Sequence, residues 1–210
     1  LNAKMITTLD VLSGGRVDFG VGVGWMPEEF EAMSADFRTR GAVTDEHIEM
    51  FKALCTGETA EYRGVHFQIS DKVFFPKPLQ RPHPPIWVGG NSRAAARRVA
   101  RLGDAWLPSK LAPEDVSEQR QALRQVCEEN DRDPDSVTFG FSMPLSLGER
   151  QVASDGSRQP LSGEPKELAD DLRRYEDAGV EYLVFTVAST DGEYTVDAIN
   201  RFAQTSALHP

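Results

Sequence analysis

The stretch from Pro84 to Trp106 constrains the fold more tightly than any other part of the chain. Pro84 and Pro85 introduce Ile86-Trp87-Val88, a β-branched and aromatic run of the kind that forms a buried strand. Gly89-Gly90 follows, and glycine turns the chain through conformations that other residues enter only at a cost. Asn91 or Ser92 then caps a helix whose apolar positions Ala95, Val99 and Leu102 fall at i, i+4 and i+7. Gly103 stands where a left-handed C-terminal cap is expected. A strand that ends in Gly-Gly and feeds straight into a helix brings the helix's free N–H groups and the positive end of its dipole to one point, which favours a phosphate. The same residues would also serve as a tight βα turn that binds nothing.

The remaining segments repeat the alternation of helix and strand. Asn2 to Leu12 carries Met5, Leu9 and Leu12 on one helical face and stops at Ser13-Gly14-Gly15. Residues 16–24 switch to period two, with Val17, Phe19, Val21 and Val23 on one side and Asp18, Gly20, Gly22 and Gly24 on the other. Glycine along one face of a strand marks a place where something approaches the backbone closely. The spacing is not the dinucleotide fingerprint, because Trp25-Met26-Pro27 follows in place of the helix-opening glycine. Pro27 with Glu28 and Glu29 opens a short helix. Thr44 and Asp45 are expected to cap a helix that buries Ile48, Phe51, Leu54 and Cys55. Residues 56–85 form an insertion, a small hairpin at 62–67 and then a proline-stiffened run, of a length that suggests a cover over a site.

After the 84–106 unit come the strand Ala105-Trp106-Leu107, a helix from Pro113 burying Val116, Leu123, Val126 and Cys127, and a strand at 137–143. Residues 148–163 are polar and aperiodic, hence expected as a mobile loop. A helix from Pro165 to Gly179 shows Leu168, Leu172 and Tyr175, and Tyr182 to Val187 is nearly continuous in apolar character, as for a strand buried on both faces. A final helix presents Val196, Ile199 and Phe202. Short strands alternating with helices predict a parallel sheet in one α/β domain over 1–210.

With 210 residues and a net charge of -10, the chain lacks the basic face that nucleic acid or an anionic membrane requires. No apolar run approaches the roughly 20 residues of a membrane span. Cys55 and Cys127 form no C-x-x-C pair, which suits a reducing compartment and leaves a single disulfide open. These features predict a cytoplasmic, soluble protein. The chain opens on Leu1-Asn2-Ala3-Lys4, without Met and already within a helical pattern, as a fragment would.

Three segments, Leu9 to Arg16 running into Gly20 to Trp25, Pro85 to Gly90 with its arginine-rich helix and Gly103-Asp104-Ala105-Trp106, and Ala178 to Val184, together resemble the bacterial luciferase-like family of flavin- and deazaflavin-dependent oxidoreductases. The resemblance implies a TIM-type (β/α)8 barrel, of which the five strands here are the fourth to eighth and the first three βα units are lacking. Such a barrel takes about 250 residues, so the count agrees. It implies that Gly89, Gly90, Asn91 and Ser92 hold the cofactor phosphate, and that Gly22, Gly24 and Trp25 lie near the ring or its substrate. Trp25 is either a ring-stacking wall or rim packing, and Arg93 reads first as a solvated helix residue. Trp25, Trp87 and Trp106 are all expected beside the ring. The run Pro-Pro-Ile-Trp-Val-Gly-Gly, the tryptophan after the glycine strand and the acidic composition look most like members that use coenzyme F420; FMN, with monooxygenase chemistry, is the alternative. The family's acid/base positions lie on the first three strands, so no catalytic residue is carried over. Hydride transfer to or from a small-molecule organic substrate and a homodimer are implied, and a non-catalytic flavin-binding barrel remnant is the alternative from another functional class.

Other chemistry finds little support. His47, His66, His83 and His209 show no metal-ligand spacing, and no covalent-nucleophile motif is present. Glu28-Glu29 and Asp45-Glu46 read as first-turn helix acids.

Overall fold

The computed structural model describes residues 1–187, 189 and 191–206, so His209 lies outside the described residues. In chain order the elements are α1 (Asn2–Ser13), β1 (Phe19–Val21), α2 (Pro27–Ala32), α3 (Arg40–Thr56), β2 (Thr59–Arg63), β3 (Gln68–Val73), β4 (Ile86–Gly89), α4 (Arg93–Leu102), β5 (Ala105–Leu107), α5 (Pro113–Glu128), β6 (Thr138–Leu147), β7 (Ser162–Gly163), α6 (Pro165–Asp177), β8 (Tyr182–Val187) and α7 (Gly192–Ser206). Strands β1, β4, β5, β6 and β8 pair in that order, all parallel. The two residues of β7 pair with the end of β6, and β2–β3 is a separate antiparallel hairpin. Strand, helix, strand in unbroken parallel succession is an arc of a (β/α) barrel, as expected.

Period-two alternation divides the two faces of the arc. Ile86, Val88, Trp106, Phe139 and Phe141 enter one core with Ile48 and Phe51 of α3, Val99 of α4, Val116 of α5 and Tyr175 of α6. Each large aliphatic or aromatic group buried there contributes on the order of 1.5–3 kcal/mol. The opposite, inner face carries Gly20, Trp87, Ala105 and Gly140; Trp87 packs there on Tyr182 with ring centroids 4.7 Å apart. Both cysteines are free and buried, so no disulfide joins them, and burial pushes the Cys55 thiol up to about 12.

Several expected details change. Met5, Leu9 and Leu12 are 54%, 50% and 78% exposed, whereas Thr7 and Asp10 on the other side of α1 are buried. The reason is Asp10, whose carboxylate accepts the backbone N–H of Leu79 at 2.7 Å and of Gln80 at 3.0 Å and the Gln80 amide at 2.8 Å. That face must point inward to organise the proline-rich run. Val196 and Ile199 of α7 are likewise exposed, while Ala198 and Phe202 turn inward and Phe202 meets Phe185. Tyr182 is 47% exposed, so β8 is not buried on both faces.

Helix α3 begins at Arg40, which puts Thr44 and Asp45 inside it. Asp45 pairs there with the buried Arg98, and Glu46 accepts the backbone N–H groups of Val65, His66 and Phe67 at the hairpin tip. Neither acid lies in a first helical turn, unlike Glu28 and Glu29 in α2. Gly103 is extended, with φ -97; it is glycine because an added Cβ would lie 2.9 Å from Val88 and 3.2 Å from Val99. Segment 56–85 follows the flank of α3 and α1, tied by Tyr62 to Glu49 and by Leu79 and Gln80 to Asp10. Further anchors are Val17, which accepts from the Gln80 amide, and Phe19 of β1, which donates to the carbonyl of Pro85; none of these lies on the Gly89–Ser92 loop.

Residues 148–163, expected to be mobile, are held by Arg158, which donates to both carboxylate oxygens of the buried Asp171 at 2.8 and 2.7 Å. Leu161 is fully buried beside them.

Asp10 makes a first testable case. Burial raises the pKa of its carboxyl, but hydrogen bonds from Gln80 and Leu79 outweigh this and hold it below the usual value. Asp10→Ala is expected to cost about 1–3 kcal/mol in urea unfolding at pH 7, because it strands buried donors. A depressed pKa means that the contribution is present above the unfolded-state value of about 3.9 and fades as pH falls through the folded one. The gap between wild type and variant should therefore narrow below about pH 4. A gap independent of pH would show that the charge contributes nothing.

Candidate functional site

The loop between β4 and α4 is set by three side chains. Trp106, 1% exposed on β5, donates its indole N–H to the carbonyl of Gly90 at 2.8 Å. The Asn91 carboxamide both donates to and accepts from the backbone of Ser109 in the next βα loop, each at 2.8 Å. Ser92 accepts the N–H of Ala95 and so is the N-cap of α4. Gly90 has φ +110, a conformation that only glycine enters cheaply. Among the described residues, no acceptor takes the backbone N–H of Asn91 or Ser92. They stand just before the first turn of the ten-residue α4, at its positive end, where an anion is favoured. Arg93 adds no free charge, since it pairs with Glu129 at 2.7 Å.

Beside this loop lies a bare patch of sheet. Val21 pairs with Val88, so Gly22, the residue just past the end of β1, follows beside Gly89, the last residue of β4. A Cβ added to Gly20 or Gly22 would meet nothing within 4 Å, and one on Gly89 would meet only Val21 O at 3.7 Å and Leu107 O at 3.9 Å. None of the three has φ in the left-handed region. The fold therefore does not require glycine at 20, 22 or 89; what glycine leaves there is room for a flat group to reach the backbone. Gly24 differs, because its φ is +81 and a Cβ would strike the Phe30 ring at 2.7 Å. Gly20 and Gly22 also line a cavity of about 590 Å³ with Phe19, His47 and Phe51. His47 stacks on Phe67, and its burial lowers its pKa.

A second cavity, of about 1050 Å³, opens at the C-terminal ends of β6 and β8. Met143, Leu145 and Val187 line it, with Lys110 and Tyr194 at its sides and residues of the 149–160 stretch around it. In a barrel this is the end where ligands are bound. Among the described residues, no group of His, Cys, Asp and Glu is placed to hold a metal ion, and no helix is long and apolar enough to cross a membrane.

The structure thus brings Gly22, Gly89, Gly90, Asn91 and Ser92 to one corner of the rim. Trp25 is 78% exposed. Trp106 belongs to the helix-side core and cannot face a ring bound on the inner face, whereas Trp87 does lie on that face. Sequence reasoning missed the Trp106–Gly90 and Asn91–Ser109 bonds, and also the cavity around residues 149–160. Strand parity could have separated Trp87 from Trp106. Nothing local announces the Asn91 bond.

The patch and loop fit a phosphate-bearing flat ring on physical grounds: spare glycines for the ring, outward N–H groups for the anion. Comparisons with known proteins identify the family. Residues 1–161 match the family described as luciferase-like monooxygenase. The chain is 33% identical over 127 residues to an FMNH(2)-dependent dimethylsulfone monooxygenase of Pseudomonas putida, covering 59% of this chain and 35% of that one. It is 36% identical over 197 residues to an uncharacterised protein of Mycobacterium bovis, covering 93% and 60%. The chain thus spans about a third to three fifths of the length of these relatives. Among solved structures, an F420-dependent secondary alcohol dehydrogenase in complex with an F420-acetone adduct superposes with a TM-score of 0.81 at 16% identity, covering 97% of this chain and 74% of that one. The monooxygenase RslO1 of Streptomyces bottropensis superposes with a TM-score of 0.78 at 22% identity, covering 97% and 72%. At these identities the two superpositions speak for the fold alone.

Proposed function

The chain belongs to the luciferase-like monooxygenase family, and on that premise we propose that it is part of an oxidoreductase using reduced coenzyme F420 to exchange hydride with a small organic substrate. The observation that carries the reading is the set of glycines at 20, 22 and 89, which the fold does not require and which lie beside unpaired N–H groups of Asn91 and Ser92. The reduced ring, when bound, supplies the hydride; the protein supplies orientation and a sheltered surface. In this reading the N–H groups of Asn91 and Ser92 hold the phosphate, Gly22 and Gly89 bed the ring, and Gly24 and Trp25 flank it. The proposed assembly is a homodimer, and two unpaired thiols suit the proposed cytoplasmic location.

FMN is the second reading, favoured by the 33% identity to an FMNH(2)-dependent enzyme. Separate titrations with F420 and with FMN, followed by tryptophan fluorescence, decide between them. Saturable quenching of the Trp25 and Trp87 emission by one of the two is expected and names the cofactor. No quenching by either overturns the cofactor site.

A further inference from the structure

We propose that Trp106 is a positioning residue for cofactor phosphate: its indole N–H fixes the Gly90–Asn91 peptide so that the amide of Asn91 faces the rim. The inference rests on reading the Gly89–Ser92 loop as the phosphate cradle. Trp106 lies on the helix side of β5, beneath the loop and out of reach of any ligand on the inner face. It donates to the carbonyl of Gly90 at 2.8 Å, drawing that oxygen into the core. The cis peptide bonds among the described residues are Phe75–Pro76 and Arg81–Pro82, so the Gly90–Asn91 bond is trans. In a planar trans peptide the C=O and N–H vectors point in opposite directions. A carbonyl held inward therefore holds the Asn91 N–H outward, toward the end of α4 where an anion is favoured.

Gly90 makes this restraint necessary. Gly90 sits at φ +110, and glycine restricts its own backbone less than any other residue, so the orientation of the following peptide depends on its hydrogen bonds. Asn91 holds the neighbouring side chain through Ser109, but that bond leaves the orientation of the Gly90 carbonyl unset. Trp106 sets it. Ring packing also fixes the indole, which meets Phe139 edge-on with centroids 5.8 Å apart. A phenylalanine at 106 keeps an aromatic ring against Phe139 but removes the donor and part of the buried volume of the indole.

The test compares Trp106→Phe with wild type for binding of FMN against riboflavin, or of F420 against its phosphate-free deazaflavin, using whichever cofactor the wild type takes. Each pair shares a ring; FMN adds the phosphate alone, and F420 adds the phosphate together with the tail esterified to it, so within the second pair the wild-type ratio is the reference against which the variant is read. Wild type is expected to prefer the phosphorylated form. Trp106→Phe should reduce that preference roughly three- to tenfold while binding the phosphate-free ring as before. An unchanged preference, or an equal loss for both forms, overturns the positioning role. A wild type with no preference overturns the phosphate cradle itself. Should Trp106→Phe fail to fold, benzothienylalanine placed at 106 keeps the bicyclic shape with sulfur in place of N–H, and the same ratio decides.

Discussion

Gly22→Val is expected to fold with wild-type stability and to lose the ring cofactor. No heavy atom lies within 4 Å of a Cβ at position 22, and the backbone there is open to any residue. Valine also suits an extended segment better than glycine does. Unfolding free energy should thus stay within about 0.5 kcal/mol of wild type. The branched side chain would occupy the surface on which the ring lies, and displacing it should weaken binding by roughly 2 kcal/mol or more, about thirtyfold. Urea unfolding and fluorescence titration on the same preparation check both halves. Unchanged affinity would remove the glycine patch from the site. Gly90→Val is a poorer probe, because φ +110 would strain the chain by about 1–3 kcal/mol and mix folding with binding.

The second large effect lies in the segment beside the larger cavity. Arg158→Met would leave the Asp171 carboxylate, 1% exposed, with the Leu161 N–H at 2.8 Å and Arg174 at 3.7 Å in place of its bidentate partner. Removing one member of a buried pair costs about 3 kcal/mol, or roughly 6–12 °C in Tm for a domain of this size. The freed segment should then be cut by protease within 149–160. Replacing both members, Arg158→Met with Asp171→Leu, should recover much of the loss, because no charge is left buried without a partner. A single variant with wild-type Tm would show that the pair does not hold this stretch.

Much of the fold was legible in the sequence, because helix-period and strand-period patterns coincide with clear stops. The face of α4, the strand at 182–187 and the parallel order all follow from such patterns. The orientation of α1 did not, because periodicity reveals an apolar stripe without saying whether a polar anchor on the opposite side outweighs it. Asp10 is that anchor, and its partners stand about 70 residues away. The order of residues 148–163 was hidden for a similar reason: it rests on the Arg158–Asp171 pair, on backbone bonds such as Ser146 to Leu161 and Gln159 to Gln151, and on the short pairing with β6, none of which has a period. At the candidate site, the glycines and the cap were visible, but the cause of each was not. Gly24, Gly90 and Gly103 answer to backbone angle or packing, whereas Gly20, Gly22 and Gly89 answer to neither. Only coordinates separate the two groups.

The double hydrogen bond between Asn91 and Ser109 also has a kinetic side. One carboxamide spans two successive βα loops, so the amide proton of Ser109 is expected to exchange with solvent only when the Asn91 side chain lets go. Two segments that are separate in sequence thus open and close as a single unit. Whatever slows the opening of one loop slows the other, and the rim near β4 and β5 moves with one rate in place of two.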